Sequence, residues 1–383
     1  MSGFRSGGAG EKIRRAAGVS TDSGRGRYGM SCAAPFPRSE LRMKPIENIA
    51  DLEDRLSAPT SGVLDMLEAV EGDVLVLGAG GKMGPTLARM ARRGIDRLGQ
   101  ARRVIAVSRF AQAAAADALR REGVEVIACD LADRAAVSRL PDAPNVIFMA
   151  GQKFGTSDAP ELTWVMNTVV PGIVAERFAQ ARTVVFSTGC VYPLTAAIGR
   201  GSGEDDPLGP PGEYANSCVG RERVFTHFAK KHGTPTLLFR LNYAIDLRYG
   251  VLCDVARNVA AGRAVDVTMG WVNVIWQGDA NARALQSLAH TAAPPLALNV
   301  TGRERVSIRE LAHRFGGLLG RPPVIIGSEA AAAWLADATR SFELLGPVAV
   351  TLNEMIEATA DWVRRGGATL DKPTHFESRD GRF

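Results

Sequence analysis

From Asp73 onward the chain alternates short, wholly apolar runs with longer stretches in which apolar residues recur every three or four positions. Val74, Leu75, Val76 and Leu77 make the first run. A strand apolar on both faces belongs inside a parallel sheet covered by helices on both sides. The same signature returns at residues 103–108, 124–128, 145–150, 183–187 and 236–241, with helical periodicity at 84–98, 111–121, 162–181 and 214–231. This alternation predicts an α/β chain with a doubly wound parallel sheet. Ahead of it, Ile46, Ile49, Leu52 and Leu56, then Val63, Leu64 and Leu67 after a Pro-Thr-Ser-Gly break, predict two short helices beside the first strand. Beyond Tyr243 the alternation decays. Strands are expected at 265–268, 272–276 and 297–300, and helices at 279–288, 308–319, 330–345 and 352–364. They predict a smaller mixed C-terminal domain closing over the C-terminal edge of the sheet, where ligands bind in such folds.

The first strand runs into GAGGKMGP, in which Gly78, Gly81 and Gly84 stand three apart and Pro85 occupies a first helical position that needs no amide donor. The first glycine permits a tight turn, the second lets a diphosphate approach the backbone, and the third lets the helix pack closely on its strand. A buried strand, a glycine turn and an amphipathic helix in that order point to a dinucleotide, with its phosphates near Gly78, Gly81, Lys82, Met83 and Gly84. The second strand ends in Ser108 and Arg109 rather than in an acidic residue, which suits a 2′-phosphate and favours NADP over NAD. The plainer reading of Arg109 is a solvent-facing side chain. Asp130, followed by Leu131, stands just past the third strand, placed either to accept from an adenine amino group or to cap the next helix.

Composition narrows the class. At 383 residues, 46% hydrophobic and 23% charged, the chain can bury one or two cores. Its net charge of +5 resides in residues 1–42, which carry eight Lys and Arg against three Asp and Glu and little apolar content. That stretch is expected to be a disordered basic extension, with Met43 a candidate start, and the remainder is neutral overall. The reading is therefore of three parts: the extension, a nucleotide-binding part over 43–245, and a substrate-side part over 246–383 whose segment 272–300 returns to the sheet. No nucleic-acid recognition module accompanies the basic tail. No apolar run approaches a membrane span or a secretory signal, so a cytoplasmic protein is expected. Five scattered cysteines without a C-x-x-C pair, and five histidines without ligand spacing, argue against disulfides and against a metal.

Two further segments carry chemistry. The fifth strand leads into FSTGCVYP, residues 186–193, and a later helix opens with EYANSCVGRE, residues 213–222. With the glycine triplet, Asp130, VIFMAG and Asn167, these resemble the extended short-chain dehydrogenase/reductase superfamily, the NAD-dependent epimerases and dehydratases, over roughly residues 73–300. The resemblance implies a Rossmann fold. It also implies an NAD(P)-dependent oxidoreductase, epimerase or dehydratase acting on a sugar, sugar acid or nucleotide sugar. The alternative is a non-catalytic dinucleotide sensor. It further implies Tyr214 as acid/base, Thr188 hydrogen-bonding the same substrate oxygen, and cofactor contacts at Ala150, Gly151, Asn167 and Cys218. Asn242, Tyr243 and Arg248 are expected on the substrate side, with Arg248 suited to a phosphate or carboxylate, and Asp279 stabilising a turn. A homodimer paired through the 162–181 and 214–231 helices is also implied. The chain departs from the pattern where Y-x-x-x-K should stand: Tyr214 is followed four residues later by Cys218. A cysteine supplies no cation to favour phenolate. Lys153, in GQKFGTS at the sheet edge, is the candidate replacement, against the reading of a solvated loop lysine. Arg221, two turns beyond Tyr214, lies on about the same face but far along the axis. Cys218 itself reads as a small packing residue.

Overall fold

The computed structural model describes residues 45–153, 159–372 and 374–382, so the basic extension and residues 154–158 lie outside the described residues. Met43–Phe383 form one compact unit. Helices α1 (Ile49–Leu56) and α2 (Ser61–Ala69) lead into β1 (Val74–Leu77), α3 (Gly84–Arg97), β2 (Val104–Ser108), α4 (Ala113–Arg121), β3 (Glu125–Ala128), α5 (Arg134–Ser138) and β4 (Asn145–Phe148). A helical segment follows as α6 (Pro160–Trp164) and α7 (Val170–Arg177), joined by a π turn at Val165–Val169, and then β5 (Arg182–Thr188) and the short β6 (Thr195–Ala196). Next come α8 (Glu213–His232), β7 (Thr236–Leu241), β8 (Ala244–Ile245), α9 (Val251–Ala261), β9 (Ala264–Asp266), β10 (Trp271–Val272) and β11 (Ile275–Trp276). The chain closes with α10 (Gln277–Gln286), β12 (Leu296–Val300), β13 (Val306–Ser307), α11 (Ile308–Leu319), β14 (Val324–Ile326), β15 (Ala332–Ala333), α12 (Thr339–Leu345) and α13 (Leu352–Arg364).

Seven strands form one parallel sheet in the order β12-β7-β5-β4-β1-β2-β3. The alternation of β1 shows why it had to be apolar throughout. Val74 and Val76 pack with Leu87, Ala88 and Leu285 on one face, whereas Leu75 and Leu77 pack with Val170, Val174 and Phe225 on the other. Both faces are thus covered, as in a doubly wound α/β protein. The order reverses between β1 and β4, so their C-terminal ends diverge into a crevice, the position at which such sheets bind ligands. A further core gathers the C-terminal elements around Leu252, Val255, Met269, Trp276, Phe315, Trp334 and Ile356.

Three expectations change. The strand expected at 272–276 divides at Asn273: β10 pairs antiparallel with β13 and β11 pairs parallel with β8. Asn273 holds the break by donating to Glu304 O and accepting from Ala336 N–H. The helix expected over 330–345 survives only as α12. Ala332–Ala333 instead pair with β6, and Trp334, Leu335 and Ala336 are buried in succession, as an extended segment enclosed on all sides requires. Helix α9 was not anticipated, although Val251, Leu252, Val255, Ala256 and Val259 have helical spacing and are all buried.

Candidate active site

The C-terminal ends of β1, β4, β5 and β7 enclose a cavity of about 280 Å³. Gly78 and Gly81 bound it from the glycine turn, Met149, Gly151 and Lys153 from the end of β4, Thr188 from β5, Tyr214 and Arg221 from α8, and Asn242, Tyr243 and Tyr249 from the segment after β7.

The three glycines do different work. Gly78 has a left-handed backbone, φ +90, and a Cβ there would lie 2.5 Å from Ala150 N. At Gly84 a Cβ would lie 2.4 Å from Ala79 O. Both are required by the fold. Gly81 is exposed to the cavity, and a Cβ would meet nothing nearer than Gly78 O at 3.5 Å, so the fold leaves that position free for any small residue. Helix α3 begins there with Met83 at its N-cap, Pro85 in its first turn and no side chain capping its amides. An open backbone facing uncapped amide donors fits a dinucleotide diphosphate.

On the opposite wall, Tyr214 stands one residue inside α8 and within hydrogen-bonding reach of the Thr188 hydroxyl. The Thr188 oxygen also accepts from Cys190 N–H at 3.1 Å, which fixes the strand end. Burial drives the Tyr214 phenol well above its ordinary pKa, opposed by the Arg221 charge and the Thr188 hydrogen bond. Cys218, four residues on, is fully buried against Val191 and Tyr192 and lies outside the cavity lining, although its cofactor contact was expected. Burial lifts its thiol to about 11, so it carries no charge at neutral pH. Other side chains bring positive charge to the cavity instead. Lys153 lines it, half-buried, with its pKa lowered by desolvation. Arg221 folds back along α8 to line it as well, donating to Phe186 O at 2.8 Å and to Asn167 Oδ1, with its buried Nε unpartnered. Axial distance made Arg221 seem remote from the sequence; its long side chain spans that distance.

The other expected residues divide. Asn242 and Tyr243 line the cavity, and Tyr243 takes the left-handed conformation, φ +40. Asn167 does not. It sits in the π turn, fully buried, donating to Gln152 O and Ser217 Oγ and accepting from Gln152 N–H, so it ties the β4 loop to α8. Arg248 is not available to a ligand anion, which corrects the role expected for it: its guanidinium binds Glu53 at 2.6 Å and Asp246 at 3.0 Å, clamping α1 to the turn before α9. Ser108 approaches the glycine turn, where a Cβ at Gly80 would lie 2.6 Å from its Oγ, and Arg109 is exposed. Asp130 is exposed and accepts from Ala132 N–H, Asp133 being the cap of α5, while the Leu131 side chain is buried in the core. Asp279 accepts from the amides of Ala349 and Val350, a turn-stabilising role. Tyr192 is buried between Arg240 and Asn299.

Sequence reasoning missed Lys82 as a cavity cation directed across the cleft, and Thr374. The C-terminal segment was expected to be merely irregular. Yet Thr374 is buried, lines the cavity, and donates through both its amide and hydroxyl to Asp254. A larger cavity, about 480 Å³, lies between α9 and the C-terminal segment with basic and acidic side chains in equal number, but neither the glycine turn nor Tyr214 borders it. Among the described residues no cluster of His, Cys, Asp and Glu could hold a metal, and no helix is long and apolar enough to cross a membrane.

A doubly wound parallel sheet with a glycine turn at one side of its crevice and Tyr214 with Thr188 at the other is the arrangement of the extended short-chain dehydrogenase/reductase class of NAD-dependent enzymes. The chain belongs to the NAD-dependent epimerase/dehydratase family, whose model matches residues 74–268. No curated protein matches it in sequence. Solved structures share its fold at low identity. UDP-glucuronic acid 4-epimerase from Bacillus cereus, in complex with NAD, is 16% identical, with a TM-score of 0.65 over 76% of this chain and 96% of that one. UDP-glucose 4-epimerase from Thermus thermophilus, also with NAD, is 20% identical, with a TM-score of 0.63 over 76% and 99%. The Thermotoga maritima UDP-glucose 4-epimerase, with UDP-glucose, is 16% identical, with a TM-score of 0.63 over 77% and 99%.

Proposed function

We propose that this enzyme oxidises, epimerises or dehydrates a sugar or sugar derivative, with Tyr214 moving the proton of the reacting hydroxyl. The observation that carries this reading is the shared hydrogen bond of Tyr214 and Thr188 in the cavity that the glycine turn also borders. Thr188 orients the substrate oxygen, and Tyr214 accepts its proton or returns it. The chemistry the dinucleotide supplies when bound is hydride exchange at the substrate carbon. Gly78, Gly81 and the amides opening α3 would hold its diphosphate, and Ser108 with Arg109 would receive the adenosine ribose. The absence of a carboxylate at the end of β2 favours NADP, so Arg109→Ala should weaken NADP about tenfold or more and leave NAD nearly unchanged in a calorimetric titration.

Lys153 takes the place of the missing helix lysine. Its ammonium comes from the loop after β4 to the cavity that Tyr214 also lines, and a cation within about 4–6 Å lowers a phenol pKa. Arg221 adds a second, permanent charge. Because burial raises the Tyr214 pKa, the rate should climb with pH, and removing a cation should displace that climb to higher pH. Lys153→Met should therefore cut turnover by about 10²–10⁴ and move the basic limb upward, whereas Cys218→Ser should be nearly silent. Full activity and an unchanged profile in Lys153→Met would leave Arg221 as the charge on which Tyr214 depends.

A further inference from the structure

Among the described residues, the lining of the active-site cavity contains three cationic side chains, Lys82, Lys153 and Arg221, and no Asp or Glu. Lysine charges are seldom left uncompensated in a partly buried site, because desolvation penalises them. Arg221, bonded to Phe186 O and Asn167, belongs to the tyrosine side. Lys82 does not, and it also leaves the diphosphate cradle on whose backbone it sits: its side chain crosses the cleft, donates to Ala244 O at 3.1 Å, and rests over the Tyr249 ring, 4.1 Å from the centroid. Asp246 is the nearest acid, but its carboxylate is taken by the Arg248 guanidinium at 3.0 Å and the Arg248 amide at 2.6 Å. An ammonium has three donors, and the protein bonds one of them. The Tyr243 hydroxyl, on the residue next to Ala244 and in the lining of the same cavity, is buried without a hydrogen-bond partner among the described residues, an arrangement that costs free energy unless a ligand completes it. Tyr243 is held there by a backbone conformation unusual for a non-glycine residue, of the kind that concentrates at ligand sites.

We propose that Lys82 and the Tyr243 hydroxyl receive an oxyanion of the substrate, so that the enzyme acts on an acidic sugar, bearing a carboxylate or a phosphate, in preference to a neutral one. This rests on the reading of the cavity as the sugar site. An ammonium with one protein hydrogen bond and a buried hydroxyl with none, both lining the same cavity, match the charge and the acceptor capacity of one acidic group, while Tyr214 and Thr188 work on a hydroxyl elsewhere on the ring. Desolvation, which brings the Lys82 pKa down to about 8, is relieved when such a group binds.

The test uses the full chain saturated with dinucleotide and ligand pairs that differ only in the acidic group: glucuronate against glucose, UDP-glucuronate against UDP-glucose, and glucose 6-phosphate against glucose. Calorimetry should show the acidic member of the carboxylate pairs or of the phosphate pair binding about 10- to 100-fold tighter, and the pair that does so identifies the group. Lys82→Met should erase that preference, Lys82→Arg should retain much of it, and dinucleotide affinity should change by less than about twofold in both. Neutral members binding as tightly as acidic ones, or a preference that persists in Lys82→Met, overturns the proposal. So does a Lys82→Met protein that loses dinucleotide instead, which would return Lys82 to the diphosphate. If neutral sugars bind and are turned over in a Tyr214-dependent manner, the proposed function stands and only this subsite falls. If no sugar of any pair binds to a dinucleotide-loaded protein, both fall together.

Discussion

Gly81 differs from its two companions in a way that mutagenesis can separate. Gly78 and Gly84 are enforced by backbone atoms under 3 Å from any added Cβ, but at Gly81 the nearest atom is 3.5 Å away. Gly81→Val should therefore fold, with a melting temperature close to that of the unmodified protein, and lose dinucleotide affinity, because the side chain would occupy the approach to the α3 amides. Gly84→Val should fail to fold properly. A Gly81→Val protein that retains full affinity in calorimetry would place the diphosphate elsewhere. Lys82 yields a complementary pH signature. Desolvation by burial, opposed by Asp246 and Cys253 and aided by the Arg248 and Lys153 charges, gives it a folded pKa near 8 against an ordinary 10.5. The folded state thus binds its proton less tightly than the unfolded chain, and stability conferred by relief of that burial rises as pH passes from about 8 to 10.5. Lys82→Met should accordingly be the more stable protein at neutral pH, with the difference shrinking across that window in thermal denaturation.

At the scale of elements, the sheet edge is braced by a buried ion pair directly behind Thr188. Arg240 on β7 binds Glu222 of α8 through Nε at 3.0 Å and Nη2 at 2.8 Å, Ser187 of β5 donates to the same carboxylate at 2.6 Å, and Arg240 also donates to Tyr192. Both side chains of the pair are at most 6% exposed. Removing one partner strands the other's charge, so Arg240→Met should cost roughly 3–5 kcal/mol in denaturant unfolding, and the double variant with Glu222→Leu should recover much of it. This network was invisible in the sequence, where Arg240 and Glu222 are 18 positions apart and nothing in their spacing pairs them. The seven sheet strands were legible because each is short, apolar and bounded by turn residues, and the family resemblance supplied Tyr214 and Thr188. What resisted reading were side chains whose function depends on reach: Lys82 crossing to β8, Arg221 folding back two turns, and Arg248 turned toward α1 by Glu53. Periodicity reports which face a residue occupies, not where a long side chain ends. The 330–345 segment misled for a related reason, since an alanine-rich run has high helix propensity and tertiary enclosure overrode it.

For the whole molecule, α6 and the π turn leave Leu162, Trp164, Val165 and Val169 exposed, at 46%, 39%, 37% and 53%. A row of apolar side chains on one solvent-facing helix suits a self-complementary contact with a second copy. Val169→Arg should convert a dimer into a monomer in sizing with light scattering, and a protein already monomeric without the substitution would remove the dimer from the account. The α8 helix neighbours this surface and bears Tyr214, so dimer loss should also lower turnover. The central claim concerns Tyr214 itself, and its most direct test is a single-turnover measurement of nicotinamide absorbance with acidic and neutral sugars. The unmodified protein should show reduction of the bound cofactor, lasting or transient, while Tyr214→Phe should show none at unchanged dinucleotide affinity. Cofactor reduction at full rate in Tyr214→Phe would contradict the account.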